Sequence, residues 1–303
     1  MKTLATDLKF PEGPAVMADG SVLFTEIAGS TLRCVRPDGS LVTIAETGGG
    51  PNGLAIGPDG ACYVANNGGT EYRPGHFKWT NVGVPASYTG GYIQRVDPRG
   101  GEVRTLYSSY GDQPLSAPND LVFDAHGGFY FSDYGKRHKR HRDHGGLYYA
   151  LPDGSRIVEV AYPVSSPNGV GLSPDGGTLY YAETDACRLW AFDILSPGVV
   201  KKLPHPSPTG ARLVAGLGGY QRFDSLAVEA GGNICIATFF TGCITVISPD
   251  GSSIRQVPLP DTFPTNICFG GPDMRTAYLT LSGVGEVVAM PWDQPGLPLN
   301  GAS

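Results

Sequence analysis

The sequence is poor in charged residues and lacks the segments that would direct a chain to a membrane. Asp, Glu, Lys and Arg make up 17% of its 303 residues, compared with about a quarter in typical soluble domains. The net charge of −6 argues against a nucleic-acid partner. No apolar run approaches the roughly 18 residues of a membrane helix, and Met1–Leu8 lacks the apolar core of a signal peptide. We therefore expect a cytoplasmic protein that contacts neither membranes nor nucleic acid.

Several site signatures are also missing. None of the six cysteines forms a Cys-x-x-Cys pair, so a zinc ribbon is disfavoured and buried free thiols are expected. There is no Gly-x-Ser-x-Gly elbow of a serine esterase and no Gly-x-x-x-x-Gly-Lys phosphate loop. The six histidines show no His-Glu-x-x-His spacing, and we expect His138, His141 and His144 at the surface.

Glycine (44 residues) and proline (26 residues) are abundant, and they punctuate a repeated motif. Four clear copies and two degenerate ones occur: Pro11-Glu12-Gly13, Pro51-Asn52-Gly53, Pro118-Asn119-Asp120, Pro167-Asn168-Gly169, Phe223-Asp224-Ser225 and Thr265-Asn266-Ile267. In most copies an apolar run, an Asp-Gly or Gly-Gly turn and a second apolar run follow. This order of residues predicts a β-hairpin at each copy.

Six hairpin units at a spacing of roughly 40 to 67 residues predict a ring of six similar sheets. We predict an all-β, six-bladed β-propeller with four-stranded blades, in which residues 1–303 form a single domain. In such a fold the first strand of each blade lines the central channel. The sixth unit is one strand short, and we expect Thr3–Asp7 to supply its outer strand and close the ring.

The middle residues of the six motifs should meet at one end of the channel. All six have side-chain oxygens, and two are carboxylates: Glu12, Asn52, Asn119, Asn168, Asp224 and Asn266. A ring of oxygen donors suits a hard divalent cation, above all Ca²⁺. For each Asn or Asp taken singly, the alternative is a local turn or strand-start cap.

Two insertions follow second strands and should overhang the same end of the channel. One is Asn66–Gly90 and the other is Asp133–Gly145. Their aromatic residues Tyr72, Trp79 and Tyr134 are predicted to bind substrate, although packing within their own loops is an alternative. The basic run from Lys136 to Arg142 is expected to be a solvated loop; attraction of an anionic substrate is the alternative.

At these residues the chain resembles the senescence-marker-protein/gluconolactonase/luciferin-regenerating-enzyme family. The matching segments are Phe10–Pro14, Pro118–Asp120, Ser166–Gly169, Phe223–Glu229 and Cys268–Asp273. The resemblance implies a six-bladed propeller with one divalent metal at the channel mouth, and in many members lactone hydrolysis. It further implies Glu12, Asn168 and Asp224 as metal ligands, Asn119 as a fourth ligand or substrate contact, and Asp224 as general base.

The chain departs from this family at one position. Sugar-lactone hydrolases of the family often carry Arg two residues before the Asn of the third motif, and here that position is Ala117. This change, together with the aromatic insertion, favours a less polar or aromatic ring substrate over a hydroxyl-rich sugar lactone.

Together these features predict a metal-dependent hydrolase that opens a small-molecule lactone. The metal is expected to be Ca²⁺, with Mn²⁺, Mg²⁺ and Zn²⁺ as alternatives, and Asn52 and Asn119 are predicted substrate contacts. The rival functions are an aryl-ester or phosphotriester hydrolase, a lactone isomerase, a strictosidine-synthase-like condensing enzyme, and a ligand-binding propeller without catalysis. We expect a monomer or a weak homo-oligomer.

Overall fold

The computed structural model describes residues 1–301, which contain 29 β-strands and no helix. The first strand is β1 (Lys2–Ala5). The first two blades contain β2 (Pro11–Val16), β3 (Val22–Glu26), β4 (Thr31–Val35), β5 (Leu41–Glu46), β6 (Pro51–Ile56), β7 (Cys62–Asn66), β8 (Glu71–Arg73), β9 (Thr80–Gly83), β10 (Tyr92–Val96) and β11 (Val103–Tyr107). The short strands β12 (Ser109–Tyr110) and β13 (Gln113–Pro114) follow.

The remaining strands form four further blades. The third and fourth contain β14 (Pro118–Phe123), β15 (Phe129–Asp133), β16 (Gly145–Ala150), β17 (Ile157–Val164), β18 (Pro167–Leu172), β19 (Thr178–Glu183), β20 (Arg188–Ser196), β21 (Val199–Lys201) and β22 (Arg212–Gly216). The fifth and sixth contain β23 (Arg222–Val228), β24 (Ile234–Phe239), β25 (Cys243–Ile247), β26 (Ile254–Pro258), β27 (Pro264–Gly270), β28 (Thr276–Leu281) and β29 (Glu286–Pro291).

Six antiparallel sheets are arranged in a ring, which confirms the predicted six-bladed β-propeller. Within the first five blades the strands pair in chain order outward from the channel, apart from the insertion that contains β8 and β9, whereas the outermost strand of the sixth blade is β1. In the fourth blade β20 is long and pairs with both β21 and β22. In the sixth blade β1 pairs with β29, with Lys2 opposite Ala289.

The hydrophobic core is divided among the six blade-to-blade contacts. Each of six clusters takes its buried side chains from two neighbouring blades. One of them joins Ala5, Phe24 and Val287, and so links the sixth blade to the first. Because each sheet buries both faces, blade strands such as Cys62–Asn66 are buried throughout rather than at alternate residues.

Two further expectations concern the thiols and the membrane. All six cysteines are free, five of them buried and Cys268 half-buried, as the sequence predicts. Nowhere in residues 1–301 is there a helix with the length and apolarity needed to span a bilayer.

Each repeated motif interrupts the strand pairing of its blade. The register between β6 and β7 shifts between Pro51 and Leu54, and equivalent shifts occur at all five other motifs. A shift of this kind frees the intervening residues from the ladder and redirects their side chains. In four blades the oxygen-bearing residue lies within this irregularity, whereas Glu12 and Asn266 stay paired at its edge.

In the second and fourth motifs the third residue is a glycine packed against the backbone of the neighbouring inner strand. A Cβ on Gly53 would lie 2.5 Å from the Asn119 carbonyl oxygen, and one on Gly169 would lie 2.6 Å from the Leu226 nitrogen. Both obstacles are backbone atoms, which cannot move without displacing a whole strand. Glycine is therefore required at these positions by the contact between blades.

We predict that Gly53→Ala destabilises the protein by about 1–3 kcal/mol, because the added methyl group forces the second and third inner strands apart. Chemical denaturation measures the change in the free energy of unfolding. Gly231→Ala is the matched control, since nothing lies within 4 Å of its added Cβ and its backbone angle is ordinary. Equal stability of the two variants would contradict the proposed reason for glycine in the motif.

Candidate functional site

Two cavities lie along the ring axis. The first, which we call the polar cavity, has a volume of about 180 Å³, and the second, the apolar channel, has about 410 Å³. The apolar channel is lined mainly by later residues of the inner strands and by Leu297–Asn300. The polar cavity contains five of the six predicted ring residues: Glu12, Asn52, Asn119, Asn168 and Asp224. Convergent polar groups mark the smaller cavity as the candidate site.

The insertion that follows β7 forms part of the wall of the polar cavity. Tyr72 lies in this wall, and its ring centroid is 5.1 Å from that of Phe10 in the first blade. The same insertion reaches the sixth blade, where the Lys78 backbone N–H donates to the Gly283 carbonyl at 3.0 Å. Of the other predicted substrate contacts, Tyr134 lines the cavity whereas Trp79 does not. Trp79 therefore lies outside the lining of the polar cavity.

Side chains at the ends of second strands hold the inner strands in place. Asp133, the last residue of β15, accepts hydrogen bonds from the backbone N–H groups of Ser116 and Ala117, both at 2.7 Å. Asn66, the last residue of β7, accepts one from the Gly50 N–H at 2.8 Å. These contacts fix the chain immediately before the motif, so the ring residues stand on a rigid support.

Three carboxylates are buried close together at the site. Glu12 and Asp224 line the polar cavity, and Asp120 lines the apolar channel next to Asn119. Burial raises the pKa of Glu12 and of Asp120 to about 7. Burial also raises the pKa of Asp224, and repulsion from Glu12 and Asp120 raises it further. No salt bridge within residues 1–301 compensates any of the three charges.

Two ring asparagines donate hydrogen bonds to these carboxylates. The Asn266 Nδ2 group donates to Glu12 Oε2 at 2.9 Å, and the Asn168 Nδ2 group donates to Asp224 Oδ1 at 2.6 Å. Asn266 itself lines the apolar channel and not the polar cavity. The amide of Asn168 presents nitrogen to Asp224 in this orientation, and a half-turn about its last bond exchanges nitrogen for oxygen.

The other two ring asparagines leave their oxygens unpaired. Asn52 Oδ1 and Asn119 Oδ1 are buried, and neither has a hydrogen-bond partner in the part of the chain that the structure describes. An unpaired buried carbonyl oxygen costs about 1–3 kcal/mol. Two such oxygens beside uncompensated carboxylates form an all-oxygen donor set, which fits a hard divalent cation. Three of the predicted ligands, Glu12, Asn119 and Asp224, therefore fit the predicted metal chemistry, and Asn52, a predicted substrate contact, brings a further oxygen to the cavity.

Two residues of the site were missed or misjudged at the level of sequence. The motif pattern does not predict Asp120 as a site residue, although this copy has Asp where the other clear copies have Gly. Lys136 was expected in a solvated loop, but it is buried and lines the polar cavity. Its Nζ donates to the carbonyl oxygens of Asn67, at 2.8 Å, and Gly69. Burial lowers the pKa of Lys136 to about 8. The lysine thus joins the two insertions across the cavity.

Comparison with known families identifies the family to which the chain belongs. The model of the family described as SMP-30/Gluconolactonase/LRE-like region matches residues 10–283, a span that contains every ring residue. The chain belongs to this family. The resemblance seen in the sequence is thereby confirmed.

Relatives within this family have names that describe activities. The lactonase drp35 of Staphylococcus saprophyticus is 31% identical over 82% of this chain and 69% of its own. The gluconolactonase of Zymomonas mobilis is 24% identical over 93% of this chain and 79% of its own. Among solved structures, the calcium-binding protein regucalcin from Agrobacterium tumefaciens superposes with a TM-score of 0.73 at 19% identity, over 98% and 97% of the two chains.

The buried carboxylates predict an unusual pH dependence of stability for the metal-free protein. The folded pKa values of Glu12 and Asp120, about 7, exceed their unfolded values of 4.5 and 3.8. A raised folded pKa contributes stability below the unfolded pKa, and this stability is lost as the pH rises through the folded pKa. We therefore expect a lower melting temperature at about pH 8 than at about pH 5.

The measurement is a pair of thermal melts of chelator-treated protein, with Glu12→Gln as a comparison. The variant should show a weaker pH dependence because it removes one of the titrating groups. Added Ca²⁺ should stabilise the protein most at the higher pH, where the carboxylates are ionised. A melting temperature that rises from about pH 5 to about pH 8 without metal would contradict the assigned pKa direction.

Proposed function

We propose that this chain is an enzyme that hydrolyses lactones in the polar cavity, with a divalent cation held by the ring of oxygens. The observation that carries the proposal is the pair of unpaired, buried oxygens of Asn52 and Asn119 beside the carboxylates of Glu12 and Asp224. The names of the two curated relatives, a lactonase and a gluconolactonase, support the same reaction class.

The metal would be held by Glu12, Asn119, Asn168 and Asp224, and Ca²⁺ suits this set because it accepts several protein carboxylate and amide oxygens, whereas Mg²⁺ usually keeps several waters. Participation of Asn168 requires the half-turn of its amide that places Oδ1 toward the cavity. When bound, a divalent cation supplies a Lewis acid that polarises the lactone carbonyl and stabilises the developing oxyanion. The other steps depend on protein side chains.

Asp224 is the proposed general base. Its Oδ1 is occupied by Asn168, and its Oδ2 accepts no hydrogen bond from any residue between 1 and 301. This oxygen takes a proton from the attacking water as the carbonyl carbon is attacked. The proton then passes to the ring oxygen as the ester C–O bond breaks, and the product is a hydroxy acid.

The walls of the cavity favour a substrate less polar than a sugar lactone. Phe10, Phe239 and Phe263 line it together with Tyr72, and Ala117 lines it where related sugar-lactone hydrolases often have Arg. Burial and the neighbouring carboxylates raise the pKa of Tyr72, so its hydroxyl remains a hydrogen-bond donor. We propose Asn52, Asn119, Tyr72 and Tyr134 as substrate contacts.

The general-base assignment predicts a large loss of activity in Asp224→Asn. Turnover should fall by about 10²-fold or more, because the amide cannot accept the proton of the attacking water. Proton release from a panel of sugar, aliphatic and aromatic lactones measures turnover. Asp193→Asn is the matched control, since this carboxylate is 61% exposed and lies outside the cavity.

Chelation should abolish turnover of the unmodified protein, and one added ion should restore it. Full metal-dependent activity in Asp224→Asn would overturn the role of this residue. If metal-loaded protein opens no lactone in the panel, the reaction class itself is wrong. Arylesters and phosphotriesters would then be the substrates to examine.

The apolar wall predicts a selective effect of Tyr72→Ala. Loss of the ring should raise KM for an aromatic lactone by about 10-fold, because roughly 1–2 kcal/mol of apolar contact is lost. The KM for a sugar lactone should change less. Tyr220→Ala serves as the control, since Tyr220 is 76% exposed and does not line the cavity. Equal effects on both lactones would argue against an apolar binding wall.

A further inference from the structure

A small hairpin stands beside the polar cavity within the second insertion. Arg137 and Arg142 form an antiparallel bridge, and the His138 N–H donates to the His141 carbonyl at 2.9 Å. Side chains of successive residues in paired strands point to opposite faces. His138 and His141 therefore share one face of the hairpin, whereas Arg137 and Arg142 share the other.

The arginine face is the one that adjoins the cavity. Arg137 lines the cavity, and the Arg142 guanidinium lies 4.3 Å from the ring centroid of Tyr134, another lining residue. The two histidines, in contrast, are absent from the cavity lining. They occupy the outer face of the hairpin, apart from the ring of oxygens.

On that outer face the imidazoles meet a carboxylate. The rings of His138 and His141 are stacked, with centroids 4.3 Å apart and planes inclined by 14°. His138 Nε2 lies 3.3 Å from Asp143 Oδ2. One potential ligand atom from each of the three residues lies within 4.8 Å of the other two. Two imidazole nitrogens and one carboxylate oxygen are thus gathered at one place on the hairpin.

We propose that His138, His141 and Asp143 bind a first-row transition metal, Zn²⁺ foremost, as a second metal site on the outer face of the hairpin. Imidazole nitrogens suit Zn²⁺, Cu²⁺ and Ni²⁺, whereas Ca²⁺ and Mg²⁺ prefer oxygen. Two histidines and one carboxylate form a familiar zinc ligand set that leaves a position for water. This site is independent of the function proposed for the polar cavity.

The surroundings of the three ligands support the assignment. The Ser116 hydroxyl donates to Asp143 Oδ2 at 3.1 Å, a contact that orients the carboxylate as an outer-shell partner does at known metal sites. The Asp143 N–H donates to the Lys136 carbonyl at 2.9 Å, which fixes the backbone at the base of the hairpin. Both contacts place Asp143 beside His138 before any ion binds.

The positive charges of the hairpin oppose a cation less than their number suggests. Arg142 forms an ion pair with Asp185. Lys139 and Arg140 are exposed at the turn, where water and salt screen their fields. Arg137 lies on the opposite face from the histidines. The charge of Arg142 is therefore compensated, and the charges of Lys139 and Arg140 are screened. Asp143 adds a negatively charged ligand, which favours cation binding.

Zinc binding by the full-length protein tests the proposal. The protein is first saturated with Ca²⁺, and Zn²⁺ is then titrated in competition with a chromogenic chelator. One equivalent of Zn²⁺ should bind to the unmodified chain. Affinity should fall at least about 10-fold in His138→Ala and in His141→Ala, because each loses a ligand. Co²⁺, added as a spectroscopic probe, should show nitrogen ligation that both variants lose.

His144→Ala is the matched control, since this histidine belongs to the same insertion but not to the cluster. It should bind Zn²⁺ as the unmodified protein does. His141→Gln keeps a polar side chain and serves as a second variant, and thermal melts of each protein establish folding. Unchanged Zn²⁺ affinity in the His138 and His141 variants would overturn the proposal. Loss of Zn²⁺ binding in Glu12→Gln but not in His141→Ala would do the same, because it would place the ion in the polar cavity.

Discussion

Neighbouring inner strands approach one another backbone to backbone at the mouth of the ring, and the candidate site depends on this contact. At Gly53 and Gly169 there is no space for even one methyl group between adjacent blades. The residue preceding each of these glycines, Asn52 or Asn168, lines the polar cavity. A wider ring would separate these oxygens, so the same packing that joins the blades also assembles the donor set.

Assembly of the donor set leaves the free protein with unfavourable electrostatics. Glu12, Asp120 and Asp224 are buried together, and the oxygens of Asn52 and Asn119 lack donors among residues 1–301. Such groups destabilise a fold unless a ligand compensates them. Local violations of good packing tend to coincide with functional sites in natural proteins. At this site every uncompensated group is a carboxylate or an amide oxygen, and each of them would interact favourably with a cation.

The sequence predicts the ring well because its determinants are local. Turn residues, apolar runs and their period specify the blades without knowledge of distant contacts. The hydrogen-bond partners and the burial of individual side chains cannot be predicted in this way. Asn52 and Asn168 have the same motif, but only Asn168 has a carboxylate partner, because Asp224 comes from the adjacent blade. Lys136 is buried only because carbonyl groups of another insertion surround it. Such contacts between distant segments leave no periodic pattern in the sequence.

The blades form the scaffold, whereas the two insertions supply part of the wall that would contact a ligand. Both leave the ring after second strands, and beyond their first residues, Asn66 and Asp133, neither supplies a strand to the six blades. The ring can therefore remain constant while the walls that contact a ligand change in length and polarity. Within Asn66–Gly90, the cavity-lining residue Tyr72 belongs to no blade sheet, unlike Asn66, which anchors the chain before the second motif. A propeller of this kind can diversify its chemistry by exchanging loops, and the scaffold need not be rebuilt each time.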